Sequence, residues 1–370
     1  LWADREVGDV CGVRMKGITR PRLSDLSGRK FDAVVTGGGV YGACFAYELA
    51  SRGLKILLLE KNDFGAAASA NSLRIVHGGL RYLQKFDLAR ARGSAMERST
   101  LMRIFPGLVT PLLCALPTGP GLKTSRLAFA GGLALNALIT FDRNTGLSSQ
   151  QKLGAGGLAS RQWLSTRCPD LDVSRNSGAA FWYDAFMEDP DRLVFSYVCA
   201  AAAHGAVVMN HASVEEYLSR NGNLAGVAVS DQLSGEQSEV GAKLAIDCRS
   251  GWLAARQHLA AAFREERKVR YARGINPIVG RELCACATGF VSGLRKGKKR
   301  FLFMVPYQGK TMIGTWYLPL NASPESTSTT GEERAMMLRE VIEAMPAADL
   351  SVDDIVAVSY THLRAHETRY

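Results

Sequence analysis

Gly37, Gly39 and Gly42 sit in the run Phe31-Asp-Ala-Val-Val-Thr-Gly-Gly-Gly-Val-Tyr-Gly42, and Glu60 ends the next apolar run, Lys55-Ile-Leu-Leu-Leu-Glu60. Residues of these types in this order suit a dinucleotide. Gly37 permits a tight turn, Gly39 lets the backbone approach a pyrophosphate, and Gly42 lets the following helix pack closely on its strand. The helix N-terminus then faces the phosphate charge. Glu60 stands close to the roughly 20-residue offset at which an acid takes the ribose hydroxyls, and an acid there favours an unphosphorylated ribose. A glycine fingerprint alone is weak, but here strand, turn, small-residue helix, strand and acid follow the order of a βαβ unit. It leaves FAD and NAD both open.

The next segment is Phe64-Gly-Ala-Ala-Ala-Ser-Ala-Asn-Ser-Leu-Arg-Ile-Val-His-Gly-Gly-Leu-Arg-Tyr-Leu83. Together with Glu60-Lys61-Asn62-Asp63-Phe64 it resembles the flavin-dependent glycerol-3-phosphate dehydrogenase family, a branch of the D-amino-acid-oxidase-like flavoproteins. Ser69, Asn71 and Ser72 carry the resemblance, and above all His77-Gly-Gly-Leu-Arg-Tyr-Leu83. Later stretches agree: Trp182-Tyr-Asp-Ala185, Asp189-Pro-Asp-Arg-Leu193, and Phe303-Met-Val-Pro-Tyr307 running to Thr311-Met-Ile-Gly-Thr315. The resemblance spans roughly Phe31 to Val358. It implies FAD, and the oxidation of sn-glycerol 3-phosphate or a close polyol phosphate to dihydroxyacetone phosphate, with electrons passed to a quinone. It also implies that His77 lies beside the flavin and that Lys61, Ser69, Asn71 and Ser72 line the cofactor. Val214 resembles a backbone contact to adenine, with an ordinary core valine as the equal alternative.

Alcohol oxidation through a flavin needs a base for the hydroxyl proton and cations for any phosphate, while the cofactor carries the redox step. His77 is the candidate base, because imidazole titrates near neutral pH, and Gly78 and Gly79 after it allow close backbone approach to the isoalloxazine. A histidine that merely packs a turn is the bland alternative. Arg81 is the candidate phosphate ligand, its fork matching phosphate geometry at every physiological pH. Tyr82 either adds a hydroxyl to the same anion or packs on the following helix. Arg74 reads as a strand-edge charge.

A chain of 370 residues buries one large or two medium cores, and its 47% hydrophobic and 22% charged content are those of an ordinary globular protein. The net charge of +10 is scattered except at Arg295-Lys-Gly-Lys-Lys-Arg300, which reads as a solvated turn; a membrane surface is the minority reading and nucleic acid is not expected. Eight cysteines show no zinc-binding spacing, and no metal site is expected. Cys284 and Cys286 read as core packing on one face of a strand. Leu127 to Ile139 is too short to span a membrane and reads as a buried or interfacial segment. The expected location is cytoplasmic, with peripheral contact to the inner face of the cell membrane; oligomeric state is not legible.

The expected fold is α/β, a Rossmann-like FAD-binding domain interleaved with an antiparallel-sheet substrate domain. Its expected boundaries are an extension over 1–30, an FAD-binding domain of 31–105 and 178–255, and a substrate domain of 106–177 and 256–330. Residues 331–358 would return toward the FAD domain, and 359–370 read as a non-native tail. Residues 1–14 read as upstream of a start at Met15, and His362 and His366 are discounted as a metal pair with the tail. A helix introduced by Asp189 and Pro190, an antiparallel meander turning at Asn221-Gly222, and a hairpin around Gln308-Gly309 are the sharpest local expectations.

Three departures from the family pattern bear on activity. The second flavin turn reads Asp247-Cys-Arg-Ser-Gly-Trp252, with Arg249 where a small residue is expected and Ser250 at a glycine position. Thr315-Trp316 replaces a Thr-Thr pair near the substrate. The family's C-terminal Gly-Val-Arg-Pro and Gly-Gly-Lys segments have no counterpart, so weak, substoichiometric FAD binding is expected. The competing readings are an amine- or amino-acid-oxidising flavoenzyme, a non-catalytic dinucleotide-binding fragment, and an NAD-dependent dehydrogenase. The last is disfavoured because a serine-rich run and the His77 motif follow Glu60 where a second crossover helix belongs.

Overall fold

The structure, a computed structural model, describes residues 18–249, 271–292, 300–320 and 329–364. Met15, Ser250 to Trp252, Arg295 to Lys299 and His366 lie outside the described residues, as does the side chain of His362. The chain begins with β1 (Lys30–Thr36), α1 (Val40–Ala50), β2 (Ile56–Leu59), β3 (Ile75–Val76), α2 (Leu88–Ile104), β4 (Val109–Thr118) and α3 (Arg126–Ile139). Then come β5 (Gly157–Ala159), α4 (Arg161–Arg167), β6 (Gly178–Met187), α5 (Pro190–Ala203), β7 (Val207–Met209), β8 (Ala212–Arg220), β9 (Asn223–Asp231) and β10 (Gln237–Asp247). After these follow β11 (Tyr271–Val279), β12 (Ala287–Ser292), β13 (Arg300–Tyr307), β14 (Lys310–Gly314), β15 (Trp316–Leu320), α6 (Gly331–Ala344) and β16 (Ile355–Arg364).

Two compact units divide these elements. Among the described residues the first takes 18–71, 189–249, 271 and 363–364, and the second takes 72–188, 272–292, 300–320 and 329–362.

The first unit is built on a six-stranded sheet in the order β7-β2-β1-β10-β9-β8. β7, β2, β1 and β10 are parallel, and β9 and β8 extend them as an antiparallel meander. All four residues of β2 are buried, the pattern of a parallel strand covered on both faces. α1 buries Gly42, Ala43, Ala46 and Ala50, and small residues let it lie against the sheet and α5. α5 starts as expected: the Asp189 side chain accepts from the Arg192 amide and Pro190 takes the first helical position. Asn221 and Gly222 both adopt positive φ, 53° and 77°, the conformation a two-residue hairpin of this hand requires.

The second unit carries a ten-stranded sheet whose path is β15-β11-β14-β13-β12-β4-β6-β3, with β16 on β11 and β5 on β6. β11–β14, β14–β13, β13–β12, β4–β6, β6–β3 and β5–β6 pair antiparallel, and β12 meets β4 in parallel. Gln308 and Gly309 turn the β13–β14 hairpin with φ of 51° and 72°. α6 buries Met337, Leu338, Val341 and Ala344 in this unit's core.

The division falls elsewhere than the sequence suggests. β6 pairs along its length with β4 and also receives β3, and α2 packs on both β4 and β6, so 72–105 and 178–188 belong with the antiparallel sheet. The break comes after Asn71 and after Glu188 because sheet pairing, rather than sequence proximity to the glycine turn, decides membership. Residues 331–358 likewise stay in the second unit, and β16 continues to Arg364, into the stretch expected to be a tail. Cys284 and Cys286 precede β12 rather than lying on a strand, yet both are buried beside Cys168, whose thiol is pushed up to about 12 chiefly by its hydrogen bond with Cys284. These thiols pack in the core of the second unit. α3 buries only Leu133 and leaves Leu127 and Leu138 exposed, so the segment is surface-facing rather than buried. No helix among the described residues is long and apolar enough to cross a membrane.

Arg20 ties the stretch before β1 to the first sheet, beside the buried Leu23 and Leu26. Arg20 donates from Nη1 and Nη2 to both oxygens of Asp231, at 3.1 and 2.8 Å, and from Nε and Nη2 to the carbonyl of Asn210 at 3.1 and 3.0 Å. The Arg20 hydrogen bond, against a smaller effect of burial, lowers the Asp231 carboxyl to about 2. A depressed carboxyl stabilises the fold above its unfolded value near 3.9, and that contribution is lost as pH falls toward 2. Arg20→Ala should therefore cost on the order of 1–2 kcal/mol at pH 7, allowing for screening of the partly exposed guanidinium. Urea titrations of variant and parent from pH 7 to pH 2 should converge at the acid end; a gap that is constant with pH would remove the pair from the account.

Candidate active site

In the first unit the glycine turn is shaped by the chain's own atoms. Gly37 takes φ of 101°, and a Cβ there would lie 2.8 Å from the Arg249 amide nitrogen and the Cys248 carbonyl carbon. A Cβ on Gly42 would lie 1.8 Å from the Gly37 carbonyl oxygen, so helix and turn touch only because both lack side chains. Gly38 is equally constrained, by Phe64 and Glu60. Glu60 places one carboxylate oxygen 2.6 Å from the Gly38 amide and the other 2.8 Å from that of Asn62, so the acid braces the turn as well as ending β2.

A dinucleotide phosphate fits the start of α1. The N-cap is Gly39, which has no side chain with which to cap, and the first turn has no acidic residue. The positive end of the helix is thus left without an anion of its own. Ser69 Oγ accepts from the Val40 amide at 2.9 Å, which brings the expected cofactor-lining serine to this end. Lys61 is exposed nearby in sequence, Asn71 donates from Nδ2 to the Ala67 carbonyl at 3.0 Å, and Val214 turns its side chain into the core. A register shift in the β8–β9 ladder follows Val214 directly.

Arg249 does not project from its turn. Its Nε and Nη2 hold the two oxygens of Asp247 at 2.9 and 2.7 Å, and the guanidinium lies 5.5 Å from the centre of the Tyr217 ring. The hydrogen bond with Asp247, partly opposed by burial, raises its pKa further.

The second unit brings His77 to the buried carboxylate of Asp184, which lies in the stretch Trp182-Tyr-Asp-Ala185 but had been given no role. Asp184, 3% exposed within β6, has four side-chain hydrogen-bond partners. Its Oδ1 takes the Gly78 amide at 2.7 Å and Arg98 Nη1 at 2.9 Å. Its Oδ2 takes Trp182 Nε1 at 3.2 Å and faces His77 Nδ1 at 3.2 Å. Arg98, also 3% exposed, comes from α2 and donates from the same Nη1 to the Tyr183 carbonyl at 2.9 Å. Burial pushes the Asp184 carboxyl up, but the His77 hydrogen bond, the charges of His77 and Arg98 and the Gly78 amide outweigh it, so the group is held below its ordinary value. For Arg98, burial lowers the pKa and Asp184 works against it. A guanidinium still keeps its charge there.

Both glycines after His77 answer to this packing rather than to an open approach. A Cβ on Gly78 would fall 1.9 Å from Arg98 Nη1, and one on Gly79, at φ of 86°, would fall 2.6 Å from the Ala91 carbonyl of α2. The 3-10 turn Leu80–Lys85 follows at once, with Arg81 exposed and Tyr82 half-buried under the Arg90 guanidinium, 5.3 Å from its ring centre. Ser72 Oγ accepts from the Arg74 amide at 3.2 Å. Arg74 is no strand-edge charge: at φ of 60° it stacks 4.4 Å from the Tyr307 ring centre and donates to the Glu188 carbonyl. Trp316 lies fully buried, donating to Glu340 at 2.9 Å, and Thr315 donates to Asn276 Oδ1 at 2.8 Å. No cluster of metal-ligating side chains occurs among the described residues.

Asp184 and Arg98 had one sequence signal each. An acid interrupts the apolar run Gly178 to Met187, and a cation sits on the buried stripe of α2 between Ala91, Ala95 and Met102. Charges at core positions come in pairs.

Gly78→Ala should displace the guanidinium from Asp184 and destabilise the protein by about 3–5 kcal/mol, the cost of breaking a buried pair. Gly93→Ala, on the same α2 with nothing within 4 Å of the added carbon, should instead stabilise by up to about 1 kcal/mol. Urea unfolding of the two variants separates a general intolerance of α2 and its turn from the specific contact.

Known proteins resemble this chain over most of its length. The chain is 30% identical over 345 residues to a glycerol-3-phosphate dehydrogenase of Synechocystis sp., covering 90% of this chain and 60% of that protein. It is 29% identical over 345 residues to an alpha-glycerophosphate oxidase of Enterococcus casseliflavus, covering 92% and 55% respectively. It therefore spans somewhat under two thirds of these relatives. The structure of a glycerol-3-phosphate dehydrogenase from Bacillus halodurans complexed with FAD superposes with a TM-score of 0.72 at 22% identity, over 92% of this chain and 58% of that one, which shows the fold. The model of the family described as FAD dependent oxidoreductase matches residues 32–369, nearly the whole chain, and the chain belongs to that family.

Proposed function

We propose that the protein oxidises the secondary alcohol of sn-glycerol 3-phosphate, or of a close polyol phosphate, to the ketone, giving dihydroxyacetone phosphate. The observation that carries this reading is the exposed His77 imidazole tied at Nδ1 to a buried carboxylate, on a turn that also presents Arg81. An alcohol being oxidised needs a positioned base for its hydroxyl proton, and an exposed imidazole can act as one. The names of the relatives at 29–30% identity support the same substrate.

In this reading Gly37 to Gly42, Glu60 and Ser69 hold the ADP half of FAD, with Lys61, Asn71, Ser72 and the Val214 backbone as further contacts. Bound FAD supplies the acceptor for the two electrons. His77 takes the hydroxyl proton, with Gly78 and Gly79 holding it on its short turn. Arg81 pairs with the phosphate and orients the carbon that is oxidised, and Tyr82 adds its hydroxyl to the same anion.

A quinone is the proposed final electron acceptor, with oxygen as the alternative that the oxidase relative favours. Quinone use would bring the protein to the inner face of the cell membrane. The exposed Leu127, Leu138 and Phe141, on and just after α3, support such peripheral contact.

Full-length FAD-loaded protein should reduce a redox dye with glycerol 3-phosphate. Arg81→Ala should raise KM for it by roughly tenfold or more, the loss of a charge-assisted pair worth about 1.5–3 kcal/mol. His77→Asn should depress kcat far more than it changes KM. Turnover with an amino acid and none with the phosphate would move the protein to the amine-oxidising flavoenzymes.

A further inference from the structure

We propose that Asp184 is the positioning residue of the reaction. Kept ionised by Arg98, it holds the His77 ring in the Nδ1–H tautomer, so that Nε2 alone carries the lone pair that accepts the substrate proton. This rests on the reading of His77 as the base.

The tautomer follows from donor and acceptor arithmetic. An ionised carboxylate has no hydrogen to give, so across the 3.2 Å between His77 Nδ1 and Asp184 Oδ2 the hydrogen belongs to the imidazole. With Nδ1 protonated, the neutral ring has its lone pair on Nε2. That nitrogen belongs to a side chain that is 62% exposed, whereas the carboxylate holding the opposite side of the ring is 4% exposed. The inner edge is thus fixed and the outer edge is free to meet a hydroxyl.

Ionisation of Asp184 follows from its donors. The Gly78 amide, Arg98 Nη1 and Trp182 Nε1 are all obligate donors, and each lies within 3.2 Å of a carboxylate oxygen. A proton on this acid could be given only to His77 Nδ1, whereas three donors, one of them a guanidinium, are met best by the bare carboxylate. The other ionisable groups that act here do not compete: Cys114 on β4 is a buried thiol pushed well above its ordinary value, chiefly by burial, and Arg143 is a second cation acting on Arg98.

Orientation follows from a two-point grip. The backbone of Gly78 and the ring of His77, consecutive in the chain, take different oxygens of one carboxylate. The carboxylate is held in turn by Arg98, whose guanidinium lies directly beneath Gly78. When His77 takes the proton, the resulting imidazolium meets a negative charge already in place, which is how a buried aspartate assists a histidine base without itself being protonated.

The decisive measurement uses unmodified full-length protein with histidine labelled in 15N, and His77→Asn to assign the resonance among the histidines. Above its pKa, His77 should show a protonated Nδ1 and an unprotonated Nε2. Asp184→Asn should mix or invert that pattern and lower kcat for glycerol 3-phosphate by about a hundredfold or more, with KM within about twofold.

An Nε2–H tautomer in the unmodified protein overturns the proposal, and that result does not depend on whether Asp184→Asn folds. A kcat of folded Asp184→Asn within threefold of the parent overturns it as well. Full activity in His77→Asn would overturn the base assignment and the catalytic half of this proposal together, while the tautomer would still decide whether Asp184 positions the ring.

Discussion

A carboxylate taken from water into the interior of a sheet costs several kcal/mol unless its charge and lone pairs are met, and Asp184 is such a group. Its four partners come from three separate pieces of chain: β6 itself through Trp182, the turn at His77 and Gly78, and α2 through Arg98. None of those pieces can shift without leaving a buried charge exposed to an apolar wall. The ion pair therefore sets where α2 lies on β6 and where the turn between β3 and α2 must pass. Arg98 does not come out even on this exchange, since its Nε has no partner and burial lowers its pKa. A buried pair is a poor source of net stability, and a purely structural role would be served as well by apolar side chains. Keeping it is easier to understand where the geometry it imposes is used.

The same logic governs the glycines. Gly37, Gly42 and Gly78 each have an atom of the chain itself under 3 Å from where a Cβ would stand. Gly79 adds a positive φ and the Ala91 carbonyl. A glycine read from sequence as making room for a ligand is, at these positions, already required by strand, helix and guanidinium. The ligand then inherits a surface from which side chains have been excluded for internal reasons, with a helix end lacking its own cap at one such place.

Legibility in the sequence followed the range of the interactions. The βαβ order, the α5 start at Asp189 and Pro190 and the turns at Asn221 and Gln308 are all written in residues a few positions apart, and the structure contains them. The unit boundary was not legible, because it depends on β6 pairing with β4 across the whole of α3 and α4. Asp184 and Arg98 lie 86 positions apart, and neither position names the other. His77 stood out because its neighbours in sequence are unusual. Its partner stood in an apolar strand, within the stretch Trp182-Tyr-Asp-Ala185, where the improbability of an unpaired charge pointed to a pairing but not to His77.

Arg249 shows how a departure from a family pattern is absorbed without damage to its surroundings. A cation beside a glycine turn would add charge and bulk where the backbone must come close. Here Asp247, two residues earlier, takes both of its forward-facing nitrogens, and Tyr217 on β8 covers the guanidinium plane, so its side chain is only 14% exposed. The pair is close to neutral as a unit and is folded against the sheet that carries β10. Asp247 and Arg249 are thus better understood together than separately: the larger residue is tolerated because the acid at the end of the strand holds it aside, and Gly37 still meets only backbone from this turn. Substituting the acid alone would release the cation toward the turn, whereas substituting both would restore the small side chains that such a turn ordinarily carries.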